Sequence, residues 1–468
     1  MNDPTKTVSK TGAADDPDAD DDAPRLIVLC EFKRLTAPAL RVALGNLQEV
    51  TVGRDSQRSF ARQGRTAKLS IPDHEISRKH IVVRRQPAGW EVADLGSKNG
   101  VLVNGEEVRT APLTDGDLIE VGGTLLMFRE DGGKPDGSID RDLALEAATP
   151  IAFRTVNTDF ERRVYQLNRI ACSGVSVLIR GQTGTGKELV ARAIHDASGR
   201  SGDFVPINCG ALPRNLIESE LFGFTRGAFS GAQRERAGLV RRAHGGTLFL
   251  DEIAELPEES QVALLRVLQE GEVLPIGASN AVKVDIRVVA ATHQDIPARI
   301  ASGSFREDLY ARLAGFELVL PALRDRGEDL GTLIAAILPR VEPKPERITL
   351  HRSAARALFR YPWPHNIREL EQALSAAVAL TDTGEIGLEH LPEAVRTYVP
   401  PSPLATAMLP EDQALGELLI KLLHEHGGNA AAVGRAMGKA PIQIRRWCHR
   451  MQIDLSQFRK HRRGRRKR

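Results

Sequence analysis

The sequence predicts three folded domains of different class: an all-β sandwich, an α/β domain with a parallel sheet, and a small all-α domain. From Leu26 to Phe128, short apolar runs alternate with turn signals such as Asn104-Gly105, as in β-sandwiches. From about Arg154 to Arg396, apolar strand patterns alternate with helical ones, which indicates a parallel sheet. Near the C-terminus, five leucines recur at the spacing of one helix face: Leu415, Leu418, Leu419, Leu422 and Leu423.

Shifts in composition divide the chain further. Residues 1–24 contain seven Asp and two Lys, too polar a segment to fold, and residues 459–468 contain eight Lys or Arg, which suits a polyanion. We therefore expect a disordered acidic tail at 1–24, a β domain at 25–130, a linker at 131–155, an α/β domain at 156–396, a linker at 397–410, a helical domain at 411–456 and a basic tail at 457–468.

The remaining composition favours a cytoplasmic protein. The four cysteines are far apart and form no CxxC pair, which argues against zinc sites and disulfides and fits a reducing compartment. No apolar run approaches the roughly 20 residues that span a bilayer, and no signal peptide is recognisable.

A glycine-rich segment between a predicted strand and a predicted helix indicates a phosphate-binding loop. Its glycines let the backbone curl so that N–H groups face phosphate oxygens, and Lys187 can pair with the β and γ phosphates. Glu188 occupies the position where a magnesium-binding Ser or Thr is common. The alternative is a plain glycine-rich turn. The predicted nucleotide-binding residues here are Gly181, Gln182, Thr183, Gly184, Thr185, Gly186, Lys187 and Glu188.

Two acids end the buried strand pattern GGTLFLDE. Asp251 can hold Mg²⁺, and Glu252 can polarise an attacking water. An acidic pair alone is a weak signal, but together with a phosphate loop it predicts ATP hydrolysis with ATP and Mg²⁺ as cofactors.

The stretch from about 170 to 395 resembles the ATPase domain of NtrC-type sigma-54 activators, which belong to the AAA+ superfamily. The resemblance implies an α/β ATPase fold with a helical lid. The blocks that carry the resemblance occur in the family's order: GQTGTGKE, VPINCGAL, ESELFGFTRGAFSGA, GGTLFLDEI, IRVVAATHQDI, FREDLYARL, LPALRDRGEDL and YPWPHNIREL. The resemblance implies that Asn208 positions Glu252 and that Thr292 and His293 form the first sensor. It also implies that Arg306 and Arg312 reach a neighbour's nucleotide in a hexameric ring and that Arg368 is the second sensor.

The segment GAFSGA resembles the loop with which this family contacts sigma-54. Glycines on both sides of an exposed Phe would give a mobile loop with an apolar tip, which suits an interface. Ser230 stands where the family has Thr, and the alternative is a turn with a buried Phe. The predicted sigma-54 contacts are Gly227, Ala228, Phe229, Ser230, Gly231 and Ala232.

The β domain resembles a forkhead-associated (FHA) domain through VGR, ISRKH and LGSKNGVLVNG. FHA domains bind phosphothreonine peptides, which implies a phosphothreonine protein or a Ser/Thr kinase as partner. An arginine with small hydroxyls suits a phosphate dianion. The alternative is an FHA fold used only for docking. The predicted phosphopeptide contacts are Arg54, Ser77, Arg78, Lys98 and Asn99.

The C-terminal segment GGNAAAVGRAMGKAPIQIRRWCHR resembles a Fis-type helix-turn-helix that binds upstream DNA. The alternative is a helical dimerisation module. The predicted DNA contacts are Gln443, Arg445, Arg446 and His449.

These patterns favour an ATP-driven activator of sigma-54 RNA polymerase that is regulated through phosphothreonine recognition. Two other interpretations stay open. One is a DNA-binding regulator with FHA-mediated docking that does not engage sigma-54. The other is a phosphopeptide-binding adaptor with vestigial ATPase activity, against which the retained Lys187, Asp251 and Glu252 argue.

Overall fold

The computed structural model describes residues 24–130, 140–229, 232–399, 410–426 and 430–437, together with Ile444 and Trp447. The chain divides into two compact units, one up to Arg396 and one from Thr397. The predicted acidic tail, up to residue 23, and the predicted basic tail lie outside the described residues. No described helix is both long enough and apolar enough to cross a bilayer.

The N-terminal domain is a β-sandwich, as its alternating pattern predicts. One sheet has the order β13-β2-β1-β12-β11-β8-β9 and the other β10-β7-β6-β3-β5-β4. The strands are β1 (Arg25–Glu31), β2 (Leu40–Ala43), β3 (Glu49–Arg54), β4 (Ser59–Gln63), β5 (Thr66–Ile71), β6 (Ile81–Gln86), β7 (Gly89–Asp94), β8 (Val101–Val103), β9 (Glu106–Val108), β10 (Thr110–Leu113), β11 (Leu118–Val121), β12 (Thr124–Arg129) and β13 (Arg141–Asp142).

Strand β1 is buried on both of its faces. Leu26 and Val28 point into the sandwich core, whereas Ile27 and Leu29 point outward into a second core. Its neighbour β12 alternates in the same way. The continuous apolar run LIVLC therefore marks a strand that has a packing partner on each side.

The central domain is an α/β fold with five hydrogen-bonded parallel strands in the order β15-β18-β21-β14-β22 among the described residues. Helices pack on both faces of this sheet. Its elements are α1 (Thr158–Ala171), β14 (Val177–Arg180), α2 (Lys187–Ala197), β15 (Phe204–Asn208), α3 (Arg214–Phe222), β16 (Gly223–Phe224), β17 (Arg236–Ala237), α4 (Leu239–Arg242), β18 (Thr247–Asp251), α5 (Glu258–Glu270), β19 (Glu272–Val273), β20 (Val282–Lys283), β21 (Arg287–Thr292), α6 (Ile296–Ala301), α7 (Glu307–Leu313) and β22 (Phe316–Val319).

A helical subdomain follows the sheet, as the resemblance implies. It consists of α8 (Leu330–Val341), β23 (Thr349–Leu350), α9 (Arg352–Arg360), α10 (Asn366–Leu380), β24 (Glu385–Ile386) and α11 (Glu393–Arg396). Its core is continuous with the outward face of the sandwich, because Ile27, Leu29 and Met127 belong to the same buried cluster as Ile334 and Leu338.

The predicted linker at 131–155 is built into the fold from residue 140 onward. Strand β13 pairs with β2 and so extends the sandwich sheet. The Asp140 carboxylate accepts a hydrogen bond from the Ala43 N–H at 3.0 Å and pairs with Arg62. This part of the connection is therefore fixed to the sandwich, although its Gly-rich start lies outside the described residues.

The C-terminal unit contains α12 (Pro410–Glu425) and α13 (Ala430–Met437). Leu419 and Leu423 pack with Val433 and Ile444, as the leucine spacing predicts. Leu418 is 45% exposed, whereas Leu419 and Leu423 are buried, so the predicted leucine face is covered only in part. Leu418 lies at the edge of the leucine face of α12, and the short α13 covers only the centre of that face, at Leu419 and Leu423.

The hinge between the α/β sheet and the helical subdomain is held by a buried carboxylate. Asp329 accepts hydrogen bonds from Thr155 Oγ1 at 2.6 Å and from the Val156 N–H at 2.7 Å. Burial raises the pKa of Asp329 to about 6, although nearby Arg326 opposes the shift. This carboxyl therefore keeps its proton in the folded state at pH values where the unfolded chain has lost it.

Asp329 should make the protein less stable as the pH rises from about 4 to 6, because the stabilising proton is lost through its folded pKa. A shift of this size corresponds to about 2–3 kcal/mol. The melting temperatures of wild type and Asp329→Asn can be measured by calorimetry across pH 4–7.5. The melting temperature of the wild type should fall relative to that of the variant up to pH 6, and the difference between the two should stay constant above pH 6. A difference independent of pH would contradict the assignment.

Candidate functional site

The predicted phosphate loop joins β14 to α2 at the carboxyl edge of the sheet. Gly184 and Gly186 have φ values of +80° and +97°, which L-residues with a side chain rarely adopt. A Cβ at Gly184 would lie 2.3 Å from the His365 carbonyl oxygen, so only glycine fits there. The Lys187 ammonium donates to the Gly181 carbonyl at 3.1 Å and is nearly buried. Loop backbone and lysine together form a cradle for phosphate groups.

The helical subdomain is tied to this loop through the start of α10. Asn366 donates to the Thr183 carbonyl at 3.0 Å, and its own oxygen accepts from the Leu323 N–H at 2.8 Å. The Ile367 N–H donates to the Gly184 carbonyl at 2.9 Å. Movement of the helical subdomain therefore changes the contacts of the phosphate loop.

A second tie is made by Arg326, which is buried over the ring of Phe160 and donates to the Thr185 carbonyl at 3.1 Å. Sequence reasoning assigned no role to Arg326 or Asn366. The signal was present, since both lie inside the blocks LRDRGEDL and PHNIREL, but their partners are more than 140 residues away in sequence.

Glu252, the second residue of the predicted acidic pair, lies beside Lys187. The Glu252 backbone is left-handed, with a φ of +53°, which turns its carboxylate toward the loop. Glu252 Oε2 accepts from His293 Nδ1 at 2.7 Å, and Oε1 lies 3.5 Å from Lys187 Nζ. Thr292 Oγ1 is 3.5 Å from the same carboxylate. The structure therefore brings three predicted residues, Lys187, Thr292 and His293, together around the Glu252 carboxyl group.

Asp251 is half-buried, and burial together with the adjacent Glu252 raises its pKa. A cation would relieve this repulsion, so the donor set suits Mg²⁺. Among the described residues, no cluster of three His, Cys, Asp or Glu side chains could hold a metal by itself. A bound Mg²⁺ would therefore take its remaining ligands from phosphate oxygens and water.

Asn208 ends β15, next to Asp251 in the sheet. Its side-chain oxygen accepts hydrogen bonds from the Gly210 and Ala211 N–H groups at 2.9 and 3.1 Å. In this structure Glu252 is held by His293 and Lys187 instead, so positioning of Glu252 by Asn208 stays a prediction.

The three predicted arginines lie on two exposed helix surfaces. Arg306 pairs with Asp308 at 2.7 Å at the start of α7, and Arg312 is exposed on the same helix. Arg368 is exposed on α10. Its Cβ is so close to the phosphate loop that a Cβ added at Gly184 would lie 3.2 Å from it. Arg368 therefore flanks the phosphate loop of its own chain, whereas the described contacts of Arg306 are with α7 and α5.

The predicted sigma-54 loop projects after β16. The Gly227 N–H donates to the Ala232 carbonyl at 2.8 Å, which closes the loop at its base. Phe229 is 46% exposed, and its ring meets Phe224 edge-on at 4.9 Å between centroids. The exposed ring agrees with the predicted apolar tip, while Ser230 and Gly231 lie outside the described residues.

The predicted phosphopeptide residues come together at one end of the sandwich. The Arg54 N–H donates to the Ser77 carbonyl at 2.9 Å, and the Ser77 hydroxyl accepts from the Lys98 N–H at 3.2 Å. Asn99 donates to the Glu75 carbonyl at 2.8 Å, and Arg78 is exposed beside them. The site thus presents cations and a hydroxyl at one edge.

Buried His80 supports this edge. One of its ring nitrogens, Nδ1, accepts from the Ser77 N–H at 3.0 Å, and the other lies 3.0 Å from the Gly100 carbonyl. Through these two contacts His80 supports the backbone of the edge. Of the C-terminal segment, Gln443, Arg445, Arg446 and His449 lie outside the described residues, so DNA contact stays a prediction.

Comparison with known families gives matches over much of the first unit. A sigma-54 interaction domain matches residues 154–319, an AAA+ ATPase lid domain matches 324–407, and an FHA domain matches 50–122. These matches confirm the expected classes of the central and N-terminal domains. The helix-turn-helix stays a prediction.

The chain is 42% identical over 303 residues to the transcriptional regulatory protein GlrR of Escherichia coli, covering 64% of this chain and 67% of GlrR. It is 50% identical over 221 residues to the hydrogenase transcriptional regulatory protein HoxA of Cupriavidus necator, covering 47% and 46%. The crystal structure of NtrX from Brucella abortus with ADP is 30% identical, with a TM-score of 0.49, covering 66% of this chain and 72% of NtrX. The chain thus spans about half to two thirds of these curated relatives. It belongs to the family of transcriptional regulators that carry a sigma-54 interaction domain of the AAA+ class.

Proposed function

We propose that the chain hydrolyses ATP and uses the energy to activate transcription by sigma-54 RNA polymerase, under the control of phosphothreonine recognition by its FHA domain. The observation that carries the ATPase assignment is the Glu252 carboxylate, held between His293 and Lys187 at the mouth of the phosphate loop. A carboxylate so placed can orient and polarise a water for attack on a terminal phosphate.

The geometry suggests how ATP binding prepares this carboxylate. Lys187 faces Glu252 and the Gly181 carbonyl, and the γ-phosphate offers it a stronger partner than either. Lys187 would then leave Glu252, which His293 still holds in place. Asp251 would hold Mg²⁺, which neutralises charge on the phosphate oxygens.

A ring of subunits would complete the site. Arg312 is exposed on α7, and Arg306 is half-buried at the start of that helix. The described bonds of Arg306 are to Asp308 and Gln261 rather than to the phosphate loop. Arginines that reach a neighbouring subunit's nucleotide stabilise transition-state charge. We therefore propose a hexamer in which these residues act between subunits, while Arg368 acts within its own chain.

The two ends supply specificity. Arg54, Ser77 and Lys98 gather at one FHA edge, where a phosphate dianion would find charge-assisted and neutral donors. The C-terminal segment with Gln443 and Arg446 would bind upstream DNA, and the basic tail would add affinity for phosphates. Because these activities act on DNA and RNA polymerase, we propose that the protein works in the cytoplasm.

Glu252→Gln should bind ATP normally but hydrolyse it at least about 10²-fold more slowly, because the amide cannot accept a proton from water. Steady-state phosphate release and nucleotide binding would measure the two effects separately. Glu259→Gln, which changes an exposed acid on α5, is the matched control. Turnover near the wild-type rate in Glu252→Gln would transfer the role to another acid.

Arg54→Ala should abolish binding of phosphothreonine peptides and leave ATPase activity without peptide unchanged, since Arg54 lies in the FHA edge and not at the nucleotide site. Titration by fluorescence anisotropy tests this, with Arg65→Ala as an exposed FHA control. If the Arg54 variant binds as tightly as the wild type, the FHA domain serves docking alone.

Phe229→Ala should keep near-normal ATPase activity and lose open-complex formation, because it removes an apolar contact without touching the nucleotide residues. The assay uses sigma-54 polymerase, ATP and a supercoiled promoter. Tyr165→Ala removes an aromatic ring of equal exposure, 46%, from α1 and should remain active. Promoter opening by Phe229→Ala at the wild-type rate would favour a DNA-binding regulator that does not use this loop.

A further inference from the structure

We propose that the FHA domain is a clamp on its own ATPase domain. It holds the helical subdomain of α8 to α11, here called the lid, at a fixed angle to the α/β subdomain and thereby slows ATP turnover. The proposal rests on the proposed ATPase function and adds a means of regulating it. Its basis is that the sandwich contacts both halves of the ATPase domain at once, on opposite sides of the hinge.

The sandwich holds the lid through close packing between β1 and α8. A Cβ at Gly331 would lie 1.7 Å from the Leu29 carbonyl oxygen, so no side chain fits between helix and strand. The Leu350 N–H of the lid donates to the Phe32 carbonyl at 2.8 Å, and the Ala39 N–H donates to Thr332 Oγ1 at 3.1 Å. The lid cannot slide across the sheet without breaking these contacts.

Ion pairs reinforce the same interface. Arg356 on α9 donates through Nη2 to Glu120 Oε2 at 2.7 Å, and the Glu120 side chain is only 2% exposed. Arg352 donates to the Gly122 carbonyl at 2.9 Å, and Arg360 donates to the Asn104 carbonyl. A buried carboxylate paired in this way fixes the register of the two surfaces, because separation would leave its charge unpaired.

The sandwich holds the α/β subdomain through two buried arginines. Arg41 is fully buried, donates to the Val156 carbonyl at 3.0 Å and pairs with Glu161 at 2.7 Å. Arg25 donates to Thr158 Oγ1 at 2.6 Å. These contacts lie on α1 and on the residues that lead into it.

The hinge lies between the two sets of contacts. Asp329, at the start of α8, binds Thr155 and Val156, and Arg326 reaches from the same turn to the Thr185 carbonyl of the phosphate loop. Rotation of the lid during the ATP cycle must therefore strain the sandwich contacts on one side or the other. Lid movements of this kind set the turnover rate of many enzymes, so a clamp across the hinge slows turnover.

The phosphopeptide edge is part of the clamp. Asp73 accepts from the Gly123 N–H at 2.7 Å, one residue from the carbonyl that binds Arg352. Glu75, whose carbonyl binds Asn99, has its carboxylate 3.8 Å from Arg352. A peptide that engages Ser77 and Asn99 therefore acts on a loop that touches the lid. By linkage, peptide binding and nucleotide binding then change each other's affinity by the same factor.

The decisive variants open the clamp without touching the nucleotide site. Gly331→Ala inserts a methyl group between α8 and β1, and Arg356→Gln removes the ion pair with Glu120. Each should raise kcat for ATP by about fivefold or more, the scale of typical couplings between sites. Hydrogen exchange at residues 349–350 should rise in both, because the Leu350 N–H loses its partner Phe32.

Two matched controls are available. Gly327→Ala adds a methyl group four residues earlier, where no atom lies within 4 Å, and Arg84→Gln breaks an ion pair with Glu91 on the other sheet of the sandwich. Both should leave kcat and exchange unchanged. A thermal melt confirms that each variant is folded.

The outcomes separate the clamp from the ATPase assignment. A wild type without ATPase activity overturns the proposed function itself. An active wild type whose Gly331→Ala and Arg356→Gln variants show equal or lower kcat overturns the clamp alone, as does unchanged exchange at residues 349–350.

A final arm tests the phosphopeptide edge. The probe is a phosphothreonine peptide selected from a random-flank library for binding to the full chain, with its unphosphorylated form as control. It should change kcat in the wild type and have no such effect in Gly331→Ala. Equal effects in both proteins, or no effect in the wild type, would overturn the coupling.

Discussion

Strand β1 has an apolar partner on each side, and the arrangement of the described residues up to Arg396 depends on this double burial. Its inward residues, such as Leu26, stabilise the sandwich, and its outward residues, such as Leu29, complete the core of the lid. Removing either partner would expose apolar surface at a cost of about 25 cal/mol per Å². The FHA and ATPase domains therefore form one compact unit rather than two domains on a flexible tether.

The residues of the nucleotide site are positioned by elements of this unit. The parallel sheet brings Lys187 and Glu252 to one edge, since the carboxyl ends of parallel strands lie together. The lid then adds Asn366, and the hinge adds Arg326, each bonded to a carbonyl of the phosphate loop. Because these ties originate in the segment packed on the sandwich, the position of the FHA domain bears on the shape of the site.

Charge burial follows the same logic at the domain boundary. Arg41, Glu120 and Asp329 are almost wholly removed from solvent, which is expensive for an ionised group unless it is paired. Arg41 and Glu120 have partners across the boundary between the sandwich and the ATPase domain, and Asp329 bonds the segment that enters α1. The boundary is therefore a specific interface and not a generic apolar contact.

The sequence by itself determined the classes of the first two domains, because strand periodicity is local, and its phosphate-loop motif predicted the nucleotide residues. Tertiary structure alone decided that the sandwich packs on the lid, that Arg326 reaches Thr185, and that Gly331 must lack a side chain. These contacts join residues more than 100 positions apart, and no local pattern encodes which surfaces will be close enough to pack.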